Sequence, residues 1–364
     1  MISIIAVIVL LGALIFVHEL GHFLMAKLTG VGVLKFSLGF GPRLAGMKIG
    51  ETEYMISLFP LGGYVKLLGE AEDDVISPEE QKRSFLKQRV ANKMLIVVAG
   101  PIFNLLLAIA IFSFVYSWGL PVLIPKIGEV QEGSAARHAG LQKSDTILSI
   151  DGKQINTWAD MAKLISESDG KALRLVILRT KKNYTIDIKP ELLKAKSIFG
   201  EEVNSYKIGV SPSMETRIER LNPWNAVTEA TKQTYALSKL TVLSVFKIFQ
   251  GIVSPKTLGG PIMIAQLAGA QAREGMIPFL LFMALLSINL AVLNLLPIPI
   301  LDGGHLFFYI IEAVTGKEIH VRWRERAQQI GFVLLIMLMM FVLFMDIERL
   351  NIKFIQDISN YFSR

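Results

Sequence analysis

The chain has 364 residues, of which 52% are hydrophobic and 19% charged. It is too apolar for an ordinary soluble protein and too charged to be wholly embedded, so a membrane protein with one modest soluble domain is expected. The absence of cysteine excludes disulfides and thiolate ligands, and the net charge of +7 is ascribed first to basic membrane-protein loops rather than to nucleic acid.

Residues 1–27 form the first expected span and carry His18-Glu19-Leu20-Gly21-His22, which fits H-E-x-x-H. Positions i and i+4 share one face of a helix, so both imidazoles can reach one ion, with Glu19 placed to act as base on an activated water. These three are the only titratable side chains from Met1 to Met25. Ionisable groups are costly in hydrocarbon, which marks them as functional. The stretch lacks a basic leader region and a small-residue cleavage site, so it is expected to be a retained span rather than a signal peptide.

Residues 28–92 are expected to form a loop. Within it, Phe36-Ser-Leu-Gly-Phe-Gly-Pro42 and Tyr54-Met-Ile-Ser-Leu-Phe-Pro-Leu-Gly-Gly-Tyr-Val-Lys66 predict short strands with glycine turns. A β-hairpin or small sheet over about 33–66 results, apolar enough to dip into the membrane, where its strand edge can hold an extended peptide. Residues 93–125 form the second span. Its Gly100-Pro101-Ile-Phe-Asn104 is read as a helix-packing feature, with no catalytic role.

Residues 126–190 read as a soluble α/β domain. Strands are predicted at Lys126–Val130, Thr146–Ile150, Leu173–Leu178 and Asn183–Ile188, with a helix near Trp158–Ser166. Residues 191–276 read as a turn-rich connector with a short strand near Tyr206–Val210, then a helix capped by Asn222 with Pro223 at its first position. Lys239 and Lys247 interrupt the apolar run Leu237–Val253, which is therefore taken as interfacial rather than spanning. Leu258-Gly-Gly-Pro-Ile262 breaks the chain before a third span at 277–312. A basic loop (313–328), a fourth span (329–347) and a tail (348–364) follow.

Lys27 to Lys93 carries ten Lys and Arg residues, and the last loop carries Lys317, Arg322, Arg324 and Arg326. These two loops are expected to be cytoplasmic, leaving both termini and the 126–190 domain outside. Two histidines leave a catalytic zinc one protein ligand short. Asn294-Leu-Leu-Pro-Ile-Pro-Ile-Leu-Asp-Gly-Gly304 offers Asp302, a lone carboxylate beyond two helix-breaking prolines. Its depth from the basic loop suits a meeting with His22. The donor set does not by itself choose zinc over another divalent ion.

H-E-x-x-H in the first span, followed by N-x-x-P-x-P-x-L-D-G in the third, resembles the site-2 protease family of intramembrane zinc metalloproteases, in its bacterial RseP-type form. The run Gly133-Ser-Ala-Ala-Arg-His-Ala-Gly-Leu-Gln-Lys-Ser-Asp-Thr-Ile-Leu-Ser-Ile-Asp-Gly152 resembles a circularly permuted bacterial PDZ domain, with Ser144 where that family often has glycine. One such domain is a departure from relatives that have two. The resemblance implies His18, His22 and Asp302 as zinc ligands, Glu19 as catalytic base and Asn294 as a catalytic group handling substrate or intermediate. It implies Val33–Lys66 as the element that engages substrate, and does not use His305. The fold expected is a polytopic α-helical membrane protein of four transmembrane helices, with a membrane-associated β-hairpin or sheet and one extracytoplasmic α/β PDZ domain. The partners implied are the lipid bilayer of a bacterial inner membrane, pre-trimmed single-pass substrates such as an anti-sigma factor or remnant signal peptide, and an extended peptide or C-terminus at the PDZ domain. The alternative is a non-enzymatic PDZ-containing adaptor with a structural metal, for which His305 is the one nearby fourth ligand.

Overall fold

The computed structural model describes residues 2–70, 74, 76–257, 259–317 and 319–362. In chain order, α1 (Ile2–Leu28), β1 (Val33–Ile49), β2 (Thr52–Leu67) and α2 (Val90–Trp118) come first. Then follow β3 (Leu120–Leu123), β4 (Ile127–Val130), α3 (Ala135–His138), β5 (Thr146–Ile150), β6 (Lys153–Gln154), α4 (Trp158–Ser166), β7 (Leu173–Arg179) and β8 (Lys182–Ile188). Four more strands, β9 (Glu191–Lys196), β10 (Glu202–Lys207), β11 (Val210–Pro212) and β12 (Thr216–Glu219), lead to α5 (Pro223–Phe249). The chain closes with α6 (Pro261–Glu274), α7 (Met276–Asn294), α8 (Asp302–Thr315) and α9 (Val321–Phe362). It divides into two compact units, residues 1–114, 227–246 and 254–364 in one, and 115–226 with 247–253 in the other.

Among the described residues, four helices are long and apolar enough to cross a bilayer: Ser3–Leu28, Val90–Trp118, Met276–Asn294 and Arg322–Leu350. Their outward side chains are apolar, as Ile4, Ile5 and Ile8 on α1 and Phe332, Val333 and Met337 on α9 illustrate, which suits hydrocarbon and no other solvent. The third apolar stretch is two helices rather than one. Pro297 disfavours helical backbone at the residue before it, so α7 stops at Asn294 and α8 restarts at Asp302.

β1 and β2 are long enough to pair twice. Phe36 faces both Val65 and Tyr54, Ser37 faces both Tyr64 and Met55, and Ala45 faces Ile56. The two strands thus fold into a four-rung meander in the order 43–49, 52–57, 33–38 and 63–67, whose last rung is an edge among the described residues. Phe40, Leu44, Met47, Ile56 and Phe59 are exposed on it. Exposed aromatic and aliphatic side chains on so short a sheet fit an environment less polar than water.

Asp346, 2% exposed on α9, accepts the backbone amides of Gly260, Ile262 and Met263 at 3.2, 3.0 and 3.1 Å. The open N-terminus of α6 is thereby capped from another helix. A Cβ on Gly260 would run into the Asp346 carboxylate, which gives a reason for the Gly-Gly-Pro sequence there. Leu258, the first residue of the expected break, lies outside the described residues.

The second unit is built on a four-stranded antiparallel sheet, order β6-β5-β7-β8, over a core of Ile127, Leu141, Ile147, Met161, Leu175 and Ile177. Thr157 and Asp160 form a reciprocal capping box at the start of α4. Ser144 takes a φ of +72°, the left-handed conformation that glycine adopts without steric cost, which accounts for glycine at this place in the resembled family. The stretch expected to be a connector is strand-rich. β11 pairs with β4, β10 with β9 and β12 with β3, and Ile208 enters the core. Short, mostly exposed strands carry little alternation, so their polar composition reads as loop. α5 begins as expected, with Asn222 Oδ1 accepting the amide of Asn225 at 2.9 Å.

Arg179 donates to both carboxylate oxygens of Asp145 at 2.7 Å and to the Gly140 carbonyl at 2.8 Å. Asp145 is completely buried. The arginine is held protonated above its ordinary pKa by those bonds. Arg179→Met leaves the buried carboxylate with the Gln142 amide but no cation, so it is expected to cost this unit about 3 kcal/mol. Native-state hydrogen exchange over 127–190 of the intact protein measures it, and unchanged protection would show the pair to be dispensable.

Candidate metal centre

Five elements of the first unit bring the chemistry together. α1 presents His18 and His22 one turn apart, with their Nε2 atoms 3.3 Å from each other. Asp302, the first residue of α8, places Oδ2 3.2 Å from His18 Nε2 and Oδ1 3.7 Å from His22 Nε2. Ligands held about 2.0–2.1 Å from a tetrahedral ion stand roughly 3.3–3.4 Å apart, which the two imidazole nitrogens match, while the carboxylate presents one oxygen to each ring. Asp302 Oδ2 is buried with no hydrogen-bond partner among the described residues. A buried carboxylate whose two oxygens each face an imidazole fits a cation. His18, His22 and Asp302 form one compact group of donors, which does not include His305. That ring instead faces Gln328, at 3.4 Å.

Glycines make the approach possible. A Cβ on Gly100 of α2 would collide with His22 Nε2 and stand 2.8 Å from His18 Cε1. One on Gly21 would run into the Ala99 carbonyl. Two facing glycines thus let α2 lie against the metal-binding face of α1. At the other side, Cβ atoms on Gly303 and Gly304 would strike the backbone of 295–299. Their absence lets the first turn of α8 lie down on the proline turn, which carries Asp302 back towards the end of α7.

The helix packing also supplies polar partners. His22 Nδ1 donates to the Ile96 carbonyl at 2.8 Å, which leaves Nε2 free for a metal. The side-chain amide of Asn104 is 3.1 Å from His18 Nδ1, and that of Asn294 is 3.3 Å from His18 Nε2. Sequence reasoning assigned Gly100 and Asn104 to packing alone. Their spacing of four, matching that of the two histidines, was the signal that both lie on one face of α2.

Glu19 lines, with His22 and Asp302, a cavity of about 570 Å³ whose walls include Val65, Leu67 and Tyr309. A Cβ on Gly63 would stand 2.9 Å from Glu19 Cγ, so the 63–67 strand passes directly beside the candidate base. Glu70 also lines the cavity. Burial raises its pKa, against the pull of the Leu67 amide that it accepts.

The comparisons follow the same lines. The model of peptidase family M50 matches residues 6–338. A protein of Rhizobium meliloti named as a zinc metalloprotease is 36% identical over 93% of this chain and 94% of its own length. The regulator of sigma-E protease RseP of Escherichia coli is 32% identical over 94% of this chain and 98% of its own. That alignment runs over 446 positions, more than this chain has residues, so the E. coli protein carries inserted sequence that is lacking here. Among solved structures, a PDZ domain from Listeria monocytogenes covers 25% of this chain at 22% identity with a TM-score of 0.19, too slight a likeness to bear on the fold.

Gly100→Ala is expected to lower zinc affinity by about tenfold or more with helical content unchanged. Chelator competition and circular dichroism on the purified protein check both. Wild-type affinity in this variant would mean that α2 can retreat at no cost to the site.

Proposed function

The chain belongs to peptidase family M50, and on that premise we propose that His18, His22 and Asp302 hold its zinc while Glu19 moves the proton in peptide-bond hydrolysis. The protein is an intramembrane zinc metalloprotease of the inner membrane that acts on membrane-protein substrates. The observation that carries the residue assignment is the convergence of one donor atom from each of His18, His22 and Asp302 within 4.8 Å of one another, beside a glutamate in the same cavity.

Zinc, when bound, supplies a Lewis acid that polarises the scissile carbonyl and acidifies water. Glu19 takes the proton of the attacking water as its oxygen adds to the carbonyl carbon, and returns it to the amine nitrogen as the C–N bond breaks. Asn294 points its amide into the same space, and donates a hydrogen bond to the oxygen on which negative charge develops. A transmembrane segment hides its backbone in helical hydrogen bonds and must unwind to be cut. The 63–67 edge holds the unwound stretch as an added strand beside Glu19. This is the role assigned to the 33–66 element.

The substrates on this reading are single-pass proteins already trimmed outside, such as an anti-sigma factor or a remnant signal peptide. The basic loops lie in the cytoplasm, the termini and the 126–190 PDZ domain outside, and the PDZ domain binds an extended peptide or a C-terminus. What supports the sidedness is the Lys and Arg bias of the loops. A structural metal in an adaptor is disfavoured, because no fourth protein donor joins the cluster among the described residues.

A single-pass, tail-trimmed reporter should be cleaved in detergent by the wild-type protein. Glu19→Gln at equal zinc content should be slower by ~10²–10⁴-fold. Near wild-type cleavage by that variant would remove Glu19 from the mechanism.

A further inference from the structure

A neutral imidazole has one N–H and one lone pair, so a ring that binds metal through Nε2 must place its proton on Nδ1 and find an acceptor there. His22 meets this need with the Ile96 carbonyl. His18 faces the same need. Its Nε2 is the nitrogen turned towards Asp302, His22 and Asn294, at 3.2, 3.3 and 3.3 Å. Its Nδ1 faces the Asn104 amide at 3.1 Å. The amide nitrogen is the nearer end there, while Asn104 Oδ1 is buried without a partner. Two amide NH2 groups cannot both donate to one neutral ring that also needs an acceptor. The ends of an amide are alike in shape, and half a turn of the group puts its oxygen on Nδ1.

We infer that Asn104 is a positioning residue: its side-chain carbonyl accepts the Nδ1–H of His18 and holds that ring in the tautomer whose Nε2 is free for metal. The placement is built rather than incidental. Asn104 is wholly buried, and its backbone carbonyl accepts the hydroxyl of Ser287 on α7 at 2.7 Å. Ser287 is itself fully buried and lies two turns before Asn294 on the same helix. One asparagine therefore ties α2 to both α1 and α7 at the depth of the site. Removing its carbonyl leaves the Nδ1–H of His18 unpaired in the interior and permits the tautomer that cannot ligate.

This inference rests on the assignment of His18 as a ligand, and the test separates the two. Zinc affinity is measured by chelator competition on the full-length protein in detergent, for the wild type, Asn104→Leu, Asn104→Asp and His18→Ala. Asn104→Leu should bind zinc ~10–100-fold more weakly, while Asn104→Asp, which offers an oxygen to the same proton, should stay within about threefold of the wild type. Equal losses in Leu and Asp, or no loss in Leu, would overturn the role of Asn104. Retention of zinc by His18→Ala would instead overturn the ligand assignment beneath it. Independently, ¹⁵N–¹H correlation of the imidazoles in the metal-free wild-type protein, which has only five histidines, should find His18 protonated on Nδ1. Protonation on Nε2 would overturn the inference even if the leucine variant did not fold.

Discussion

A polar side chain in an apolar span must find its partner within the protein, because hydrocarbon offers none. The architecture of the first unit follows from that constraint. His22 reaches the Ile96 carbonyl and His18 reaches Asn104, both on α2, so α1 and α2 must touch along the face that carries the histidines. Gly21 and Gly100 are the price of that contact. Any side chain at either position would push the helices apart or enter the space between the imidazoles. Asp346 obeys the same rule at a distance, answering three open amides of α6 rather than remaining a lone charge.

A second constraint concerns irregular backbone, which membranes accept only where protein covers it. The 295–301 turn meets that condition by lying under Gly303 and Gly304. The break does more than end a helix. An unbroken helix would carry Asp302 eight residues beyond Asn294, about 12 Å along the axis, whereas the folded-back turn leaves both groups within reach of His18. The 63–67 rung is a complementary case. No second strand pairs with its outer side among the described residues, where the Leu67 amide is bonded to Glu70, and that side runs next to Glu19.

Much of this was legible from the chain alone. Charges that break an apolar run are conspicuous, so His18, Glu19, His22 and Asp302 stood out, and the prolines announced the turn before Asp302. The helix at Trp158–Ser166 and its neighbouring strands were visible through the periodicity of their apolar residues. Gly100 and Asn104 were noticed but not placed, because a glycine and an amide in a span serve packing as often as chemistry and only the partner helix decides. Gly63 is similar, for its meaning lies in Glu19, a residue distant in sequence. The strands between 191 and 219 left little pattern, since β9 and β10 pair with each other and β11 and β12 with β4 and β3, a stabilisation that does not depend on their own hydrophobicity.

The rigidity of the site depends finally on α8, whose two ends are held by different forces. At its start, glycine contacts seat Asp302 on the proline turn. At its end, Glu312 is buried between Lys93 of α2 and Arg324 of α9, at 3.9 and 3.6 Å, and the same two cations flank the Tyr309 ring at 5.8 and 5.3 Å. A buried ion cluster of this kind is not a strong source of net stability, because desolvation offsets most of the attraction. Its effect is directional. Rotation of α8 about its axis would strand Glu312 without a cation and the cations without a carboxylate, a far larger cost than the net worth of the pairs. A helix fixed in rotation at one end is fixed at the other, and about 15 Å away along α8 that constraint aims the Asp302 carboxylate at the two histidines.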